Sequence, residues 1–188
     1  MPDERLNPMD IPIFVANAFS DGPFSGNPAA VALSFDHLDE AVMQSIAAQM
    51  NLSETAFPVR EGNAYMLRWF TPTDEVSLCG HATLATAAVL YEKGFVPESE
   101  PIEFHTLSGV LRAEKQDDLI VLDFPTATLQ PAKLSDEIAQ AIGCPVKDVF
   151  FNGDDFMIIT EAESDVRNLR PNLMVLADVN SRGFCITA

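Results

Sequence analysis

The 188-residue chain is 47% hydrophobic and carries 28 Asp and Glu against 11 Lys and Arg, a formal charge of −17. That apolar share suffices for the core of one large or two small domains, while the charge excludes a nucleic acid partner, whose phosphates such a surface would repel. No apolar run approaches the roughly 18 residues that cross a bilayer, so no membrane partner is expected, and the polar, acidic start "MPDERLNPMD" lacks the features of a secretory signal.

In chain order, "IPIFVANAF" (residues 11–19) predicts a strand, followed by the turn-rich "SDGPFSGNP" and a short second strand, "AAVALS" (residues 29–34). From Asp39, a plausible N-cap, a helix places Val42, Ile46 and Met50, with Met43 and Ala47, on one face. "ETAFPV" and "AYMLRWFTP" read as strands joined at Glu61-Gly62-Asn63. A helix spans about His81 to Lys93, with Leu84, Ala88 and Tyr91 on one stripe, Val89 expected to be buried, and Gly94 at the left-handed cap. Three strands follow, "IEFHTL", "VLRAEK" and "LIVLDF", turning at Ser108-Gly109 and Asp117-Asp118. Consecutive strands without intervening helices imply antiparallel pairing and an α+β fold.

After Phe124 the texture changes, which sets domains at 1–124 and 125–188. "PTATLQPAKLS" reads as a linker, followed by a helix near Ser135–Ile142 ending at Gly143, strands at "DVFFN" and "DFMIIT", and a helix around Asn172–Ala177. The closing "GFCITA" reads as a strand that stops abruptly, expected to be unpaired or partner-supplied if the chain ends there, and the second domain as begun but incomplete.

Three stretches carry chemistry. In "LCGHAT" a strand hands over to a helix whose first N–H groups lack internal partners and whose dipole adds positive charge, a seat for a carboxylate. Gly80 lets a ligand approach the backbone; the alternative is a plain turn with His81 lining the helix start. Cys79 is either a thiol made acidic by the helix end or a small buried strand-end residue. In "MNLSETAF", Glu54 opens an apolar strand: at an exposed rim it is solvated, and in a pocket desolvation suits it to acid–base work. In "FSGNPAAVAL", Asn27 stands at the turn between the first strands, able to donate and accept hydrogen bonds. Cys79, Cys144 and Cys185, odd in number and without CxxC, argue against a disulfide framework and for a cytoplasmic location. His37, His81 and His105 show no HxxxH or HxH spacing, so no metal is expected.

Together, "FSGNPAAVAL", "MNLSETAF" and "RWFTPTDEVSLCGHATLATAAVL" resemble the N-terminal half of the PhzF-like proteins of phenazine biosynthesis. These are isomerases and predicted epimerases of the diaminopimelate-epimerase fold superfamily. The resemblance implies two similar α+β domains, each a curved antiparallel sheet around a central helix, with the active site between them. It implies a cofactor-independent proton shift on a small carboxylate-bearing substrate and a homodimer. Glu54 matches the family's catalytic glutamate and His81 its site histidine, while Asn27, Gly80, His81 and Cys79 fall at substrate-binding positions. A thiol at this helix start resembles one of the two bases of the related amino-acid epimerases, which keeps cysteine-based epimerisation as an alternative. A further alternative is a carboxylate-binding protein without turnover. The family's "EDPATGSA"-like second-domain motif has no counterpart here, "NGDDF" included, so the chain is expected to stop before part of that apparatus.

Overall fold

The turn-rich run after Phe19 separates two apolar alternations, and the chain makes its first hairpin there. In the computed structural model, which describes residues 10–188, β1 (Ile13–Ala18) pairs antiparallel with β2 (Asn27–Ala32). Asn27 and Pro28 therefore belong to β2, one step past the turn expected to hold them; Asn27 lies opposite Ala18. Gly26 makes the reversal at φ +85, and an added Cβ would sit 2.5 Å from the Ala18 carbonyl oxygen. Gly26→Ala is thus expected to lose about 1–3 kcal/mol from backbone strain alone, readable as a lowered urea midpoint. An unchanged midpoint would contradict this turn.

Helix α1 (Glu40–Met50) returns the chain so that β3 (Thr55–Glu61) runs parallel to β2, with Ala30 beside Thr55. Its buried side is centred on Met43 and Ala47, and Val42 is exposed, contrary to the expected face. Residues 43, 46, 47 and 50 keep the helical spacing, and Val42 lies about 100° off it. Asp39 holds the N-cap position through its backbone carbonyl, which accepts from Val42 and Met43, without a side-chain cap.

A tight turn joins β3 to β4 (Ala64–Phe70), on which the two-residue β5 (Glu75–Val76) folds back. Helix α2 (Gly80–Glu92) then crosses over, so β6 (Ile102–Thr106) lies parallel to β4, and β7 (Gly109–Gln116) and β8 (Leu119–Asp123) follow as antiparallel neighbours. The sheet order is β1-β2-β3-β4-β6-β7-β8, with β5 on β4. It is α+β, but mixed: each helical crossover forces a parallel pair that a purely antiparallel reading misses.

Both β1 and β8 at the sheet's edges pack on α2, so the sheet curls around that helix. The helix is buried on most of its circumference, including Ala82, Ala85, Val89 and Leu90, while Leu84 and Ala88 of the expected stripe are only partly buried. A helix enclosed by a sheet has no single apolar stripe. Its threonines fit that enclosure because Thr83 and Thr86 donate their hydroxyls to the carbonyls of Cys79 and Ala82. Gly94, at φ +71, closes the helix as the left-handed cap: its N–H reaches Tyr91 O and the N–H of Phe95 reaches Leu90 O, the Schellman pattern. On the sheet's other face, α1 covers Ala32, Phe57 and Phe70, whose two rings meet edge to face at 5.6 Å.

The chain divides into two compact units between Pro125 and Thr126. The second has strand order β12-β11-β10-β9, formed by β9 (Gln130–Pro131), β10 (Asp148–Phe151), β11 (Asp155–Ile159) and β12 (Gly183–Thr187). Its helices are α3 (Asp136–Ile142), α4 (Glu163–Arg167) and α5 (Leu173–Ala177). Ser135 caps α3 by accepting from Ile138 N–H, and Gly143 ends it at φ +81. Its core is small: Ala141, Ile142, Ile158 and Leu176 are its buried members. The stretch read as a linker contains β9, which pairs with β10. Nor is the closing strand unpaired, since β12 runs parallel to β11 with Ile186 opposite Ile158. The intervening α4 and α5 supply the crossover that makes this pairing possible. No helix among the described residues is long and apolar enough to cross a membrane. The polar N-terminal stretch read for a signal lies, up to residue 9, outside the described residues.

Candidate active site

Parallel pairing brings the starts of β2 and β3 to one end of the curled sheet. Asn27 opens β2; Glu54 immediately precedes β3, its carbonyl accepting from Ala30 N–H at 3.3 Å. Strands alternate, so Glu54 shares the face of Ala56, and Asn27 that of Ala29 and Val31; these three apolar residues belong to the core around α2. The same end receives the start of α2. Cys79 takes an extended N-cap conformation, and its side chain makes no cap hydrogen bond to the first turn of the helix.

Three side chains converge there. Glu54 Oε2 lies 3.2 Å from His81 Nε2, and Cys79 Sγ lies 3.4 Å from His81 Nδ1. The Glu54 and His81 side chains are 19% and 10% exposed, and Cys79 is buried. Close as they are, Glu54 Oε2 and His81 Nε2 are misaligned for a hydrogen bond; both atoms are shut from solvent and neither has a hydrogen-bond partner among the described residues. Buried polar atoms rarely stay unpaired without a functional reason. A polar ligand atom that bridges them from the side would satisfy both.

Gly80 adds to the case for a ligand. A Cβ there would meet only the Phe124 ring, at 3.7 Å, an ordinary contact. Packing does not demand glycine at this position, and its absent side chain leaves the helix-end amide open to approach. Phe124 itself is a neighbour the sequence reading treated only as a domain end. The alternation Ile120, Leu122, Phe124, all packed on the core, was the signal that places it inward. Asn27 shares the sheet end with the triad, but among the described residues no hydrogen bond joins it to those side chains.

Burial is the largest cause raising the Cys79 thiol to about 12, with the Glu54 carboxylate adding to it and the amides of Ala82 and His81 opposing. At neutral pH the group is therefore a protonated thiol. Iodoacetamide is expected to modify the exposed Cys185 well before Cys79 in the folded protein, as peptide mapping by mass spectrometry will show. Equal labelling rates would refute a buried, protonated Cys79.

The donor atoms of Glu54, Cys79 and His81 lie within 4.8 Å of one another, close enough for a metal's ligand shell. The thiol and the carboxylate nevertheless approach opposite nitrogens of the imidazole, and the positive end of α2 favours an anion over a cation. A separate cavity of about 710 Å³ on the outer strands is lined by Glu103, Arg112, Glu114 and Asp123 and includes none of the three.

Residues 16–188 match the model of the PhzC-PhzF family, described as phenazine biosynthesis-like protein. An uncharacterized isomerase of Pseudomonas aeruginosa is 46% identical over 180 residues, which cover 96% of this chain and 69% of that protein. The human phenazine biosynthesis-like domain-containing protein is 42% identical over 93% of this chain and 66% of its own length. Among solved structures, a PhzF family protein of Enterococcus faecalis superposes with a TM-score of 0.83 at 40% identity, covering 92% of this chain and 66% of that one. A predicted epimerase of Pseudomonas aeruginosa shares the fold, with a TM-score of 0.68 at 20% identity, over 94% of this chain and 70% of its own. The chain thus spans about two thirds of the length of its relatives. A family model that matches from β1 to the last residue, with relatives above 40% identity along nearly the whole chain, means that this chain belongs to the phenazine biosynthesis-like family.

Proposed function

We propose that this chain carries the acid–base half of a cofactor-independent isomerase that moves a proton on a small carboxylate-bearing metabolite. One observation carries the reading: Glu54 Oε2, shut from solvent and without a hydrogen-bond partner among the described residues, stands 3.2 Å from an equally unpartnered His81 Nε2 at the start of α2. A substrate carboxylate binds the helix-end amides of Gly80 and His81. Glu54 then removes a proton from a neighbouring activated carbon and returns it elsewhere, acting as base and then as acid in a site shielded from water. His81 contacts the substrate through Nε2, and Asn27 borders the bound molecule. The uncharacterized isomerases among the relatives are named for the same reaction class.

The state of Cys79 weighs against the thiol alternative. A thiol raised to about 12 by burial and by Glu54 is a poor base at neutral pH. The test is solvent deuterium uptake, in D2O, by a panel of small α-amino and β,γ-unsaturated carboxylates. Uptake that disappears in Glu54→Gln and persists in Cys79→Ala supports the glutamate reading. The reverse pattern assigns the chemistry to the thiol. Carboxylate binding with no uptake in the unmodified chain would leave only a binding protein.

A further inference from the structure

We propose that Cys79 is a positioning residue that sets the tautomer of His81: its S–H donates to Nδ1, so the ring's own proton resides on Nε2, beside Glu54. Two geometric facts carry this. Sγ and Nδ1 are 3.4 Å apart, within reach for a sulfur hydrogen bond, and the thiol addresses the nitrogen opposite the one near the carboxylate. Burial keeps the thiol protonated, so it has a hydrogen to give to Nδ1. A neutral imidazole whose Nδ1 accepts must carry its hydrogen on Nε2. Among the described residues that N–H has no acceptor, because it lies beside Glu54 Oε2 without aligning to it. His81 then offers a substrate a fixed hydrogen-bond donor, and Glu54 is left as the base. Glu54 is the competing acceptor for the thiol proton, since it too bears on Cys79.

The inference extends the proposed proton shift, but its readout does not depend on turnover. Two-bond ¹⁵N–¹H correlation spectra of histidine-labelled protein at neutral pH distinguish the two neutral tautomers and the imidazolium. The expected wild-type result is a single neutral form protonated on Nε2. Cys79→Ala is expected to admit the other tautomer, and Cys79→Ser to restore the first, because a hydroxyl donates from the same place. A wild-type ring protonated on Nδ1, or on both nitrogens, overturns the proposal before any variant is made. So does a Cys79→Ala spectrum identical to wild type, which would mean that the thiol serves Glu54 instead. Turnover in Cys79→Ala is expected to fall several-fold and to recover in Cys79→Ser. If Glu54→Gln leaves deuterium uptake intact while the tautomer behaves as stated, the assignment of Glu54 as the proton carrier fails and the role of Cys79 stands.

Discussion

Glu54→Gln is expected to keep the fold and reduce proton transfer to substrate by about 10²–10⁴, the usual worth of a positioned acid–base group. In barrier height that is about 3–5 kcal/mol. The side chain is nearly isosteric, so neither β3 nor the backbone bond from Ala30 N–H to the Glu54 carbonyl is disturbed. In the proposed reading the helix-end amides hold the substrate carboxylate, so binding of a small carboxylate is expected to survive within a few-fold. Stability should not drop either, because the native carboxylate is partly buried and its Oε2 lacks a hydrogen-bond partner. The charge change also reaches a neighbour. Glu54 helps to hold the Cys79 thiol protonated, so removing its charge is expected to quicken alkylation of Cys79 at alkaline pH. Turnover within a factor of three of wild type would end the assignment of Glu54 as the proton carrier.

Local chemistry was the more legible part of this chain. Turn residues marked the hairpins, Gly94 and Gly143 marked helix ends, and "SETAF" and "CGHAT" pointed at the residues that meet in space. Partner choice was not legible. Nothing local in "AAVAL" or "ETAFPV" states that these strands run parallel; the direction follows from a helix crossing between them, a tertiary matter. The same limit explains α2. Periodicity finds one apolar stripe, whereas Ala- and Thr-rich residues all round the helix report enclosure by a sheet, which spacing cannot distinguish from high helix propensity. For the site, sequence placed Glu54 and His81 at element starts, but not the 3.2 Å between them. That distance depends on β3 and α2 beginning at one end of a curled sheet. The protonated state of Cys79 was likewise hidden, because the helix-end argument favours an acidic thiol and burial outweighs it.

Phe104→Ala is expected to destabilise the first unit by about 3–5 kcal/mol, the usual result of emptying a phenylalanine site in a packed core. Phe104 is fully buried in β6, paired with Tyr65 on one side and Leu111 on the other, and its ring centre lies 6.3 Å from that of Tyr65. It belongs to the same cluster as Val89 and Leu90 of α2, so the cavity would open between the sheet and the helix it encloses. Natural domains have only about 5–15 kcal/mol in hand, so this one change would take a large share of the total. Trp69, the chain's single tryptophan, is buried in that cluster and gives a fluorescence signal specific to the first unit. The second unit has its own small core, which excludes Phe104, and its unfolding midpoint is expected to stay put when followed by another probe. Leu119→Ala provides the contrast: that side chain is 71% exposed on β8, and a change within about 0.5 kcal/mol is expected. A loss below about 1 kcal/mol in Phe104→Ala would mean that the sheet does not close on α2 as described, and the site at the start of that helix would lose its support.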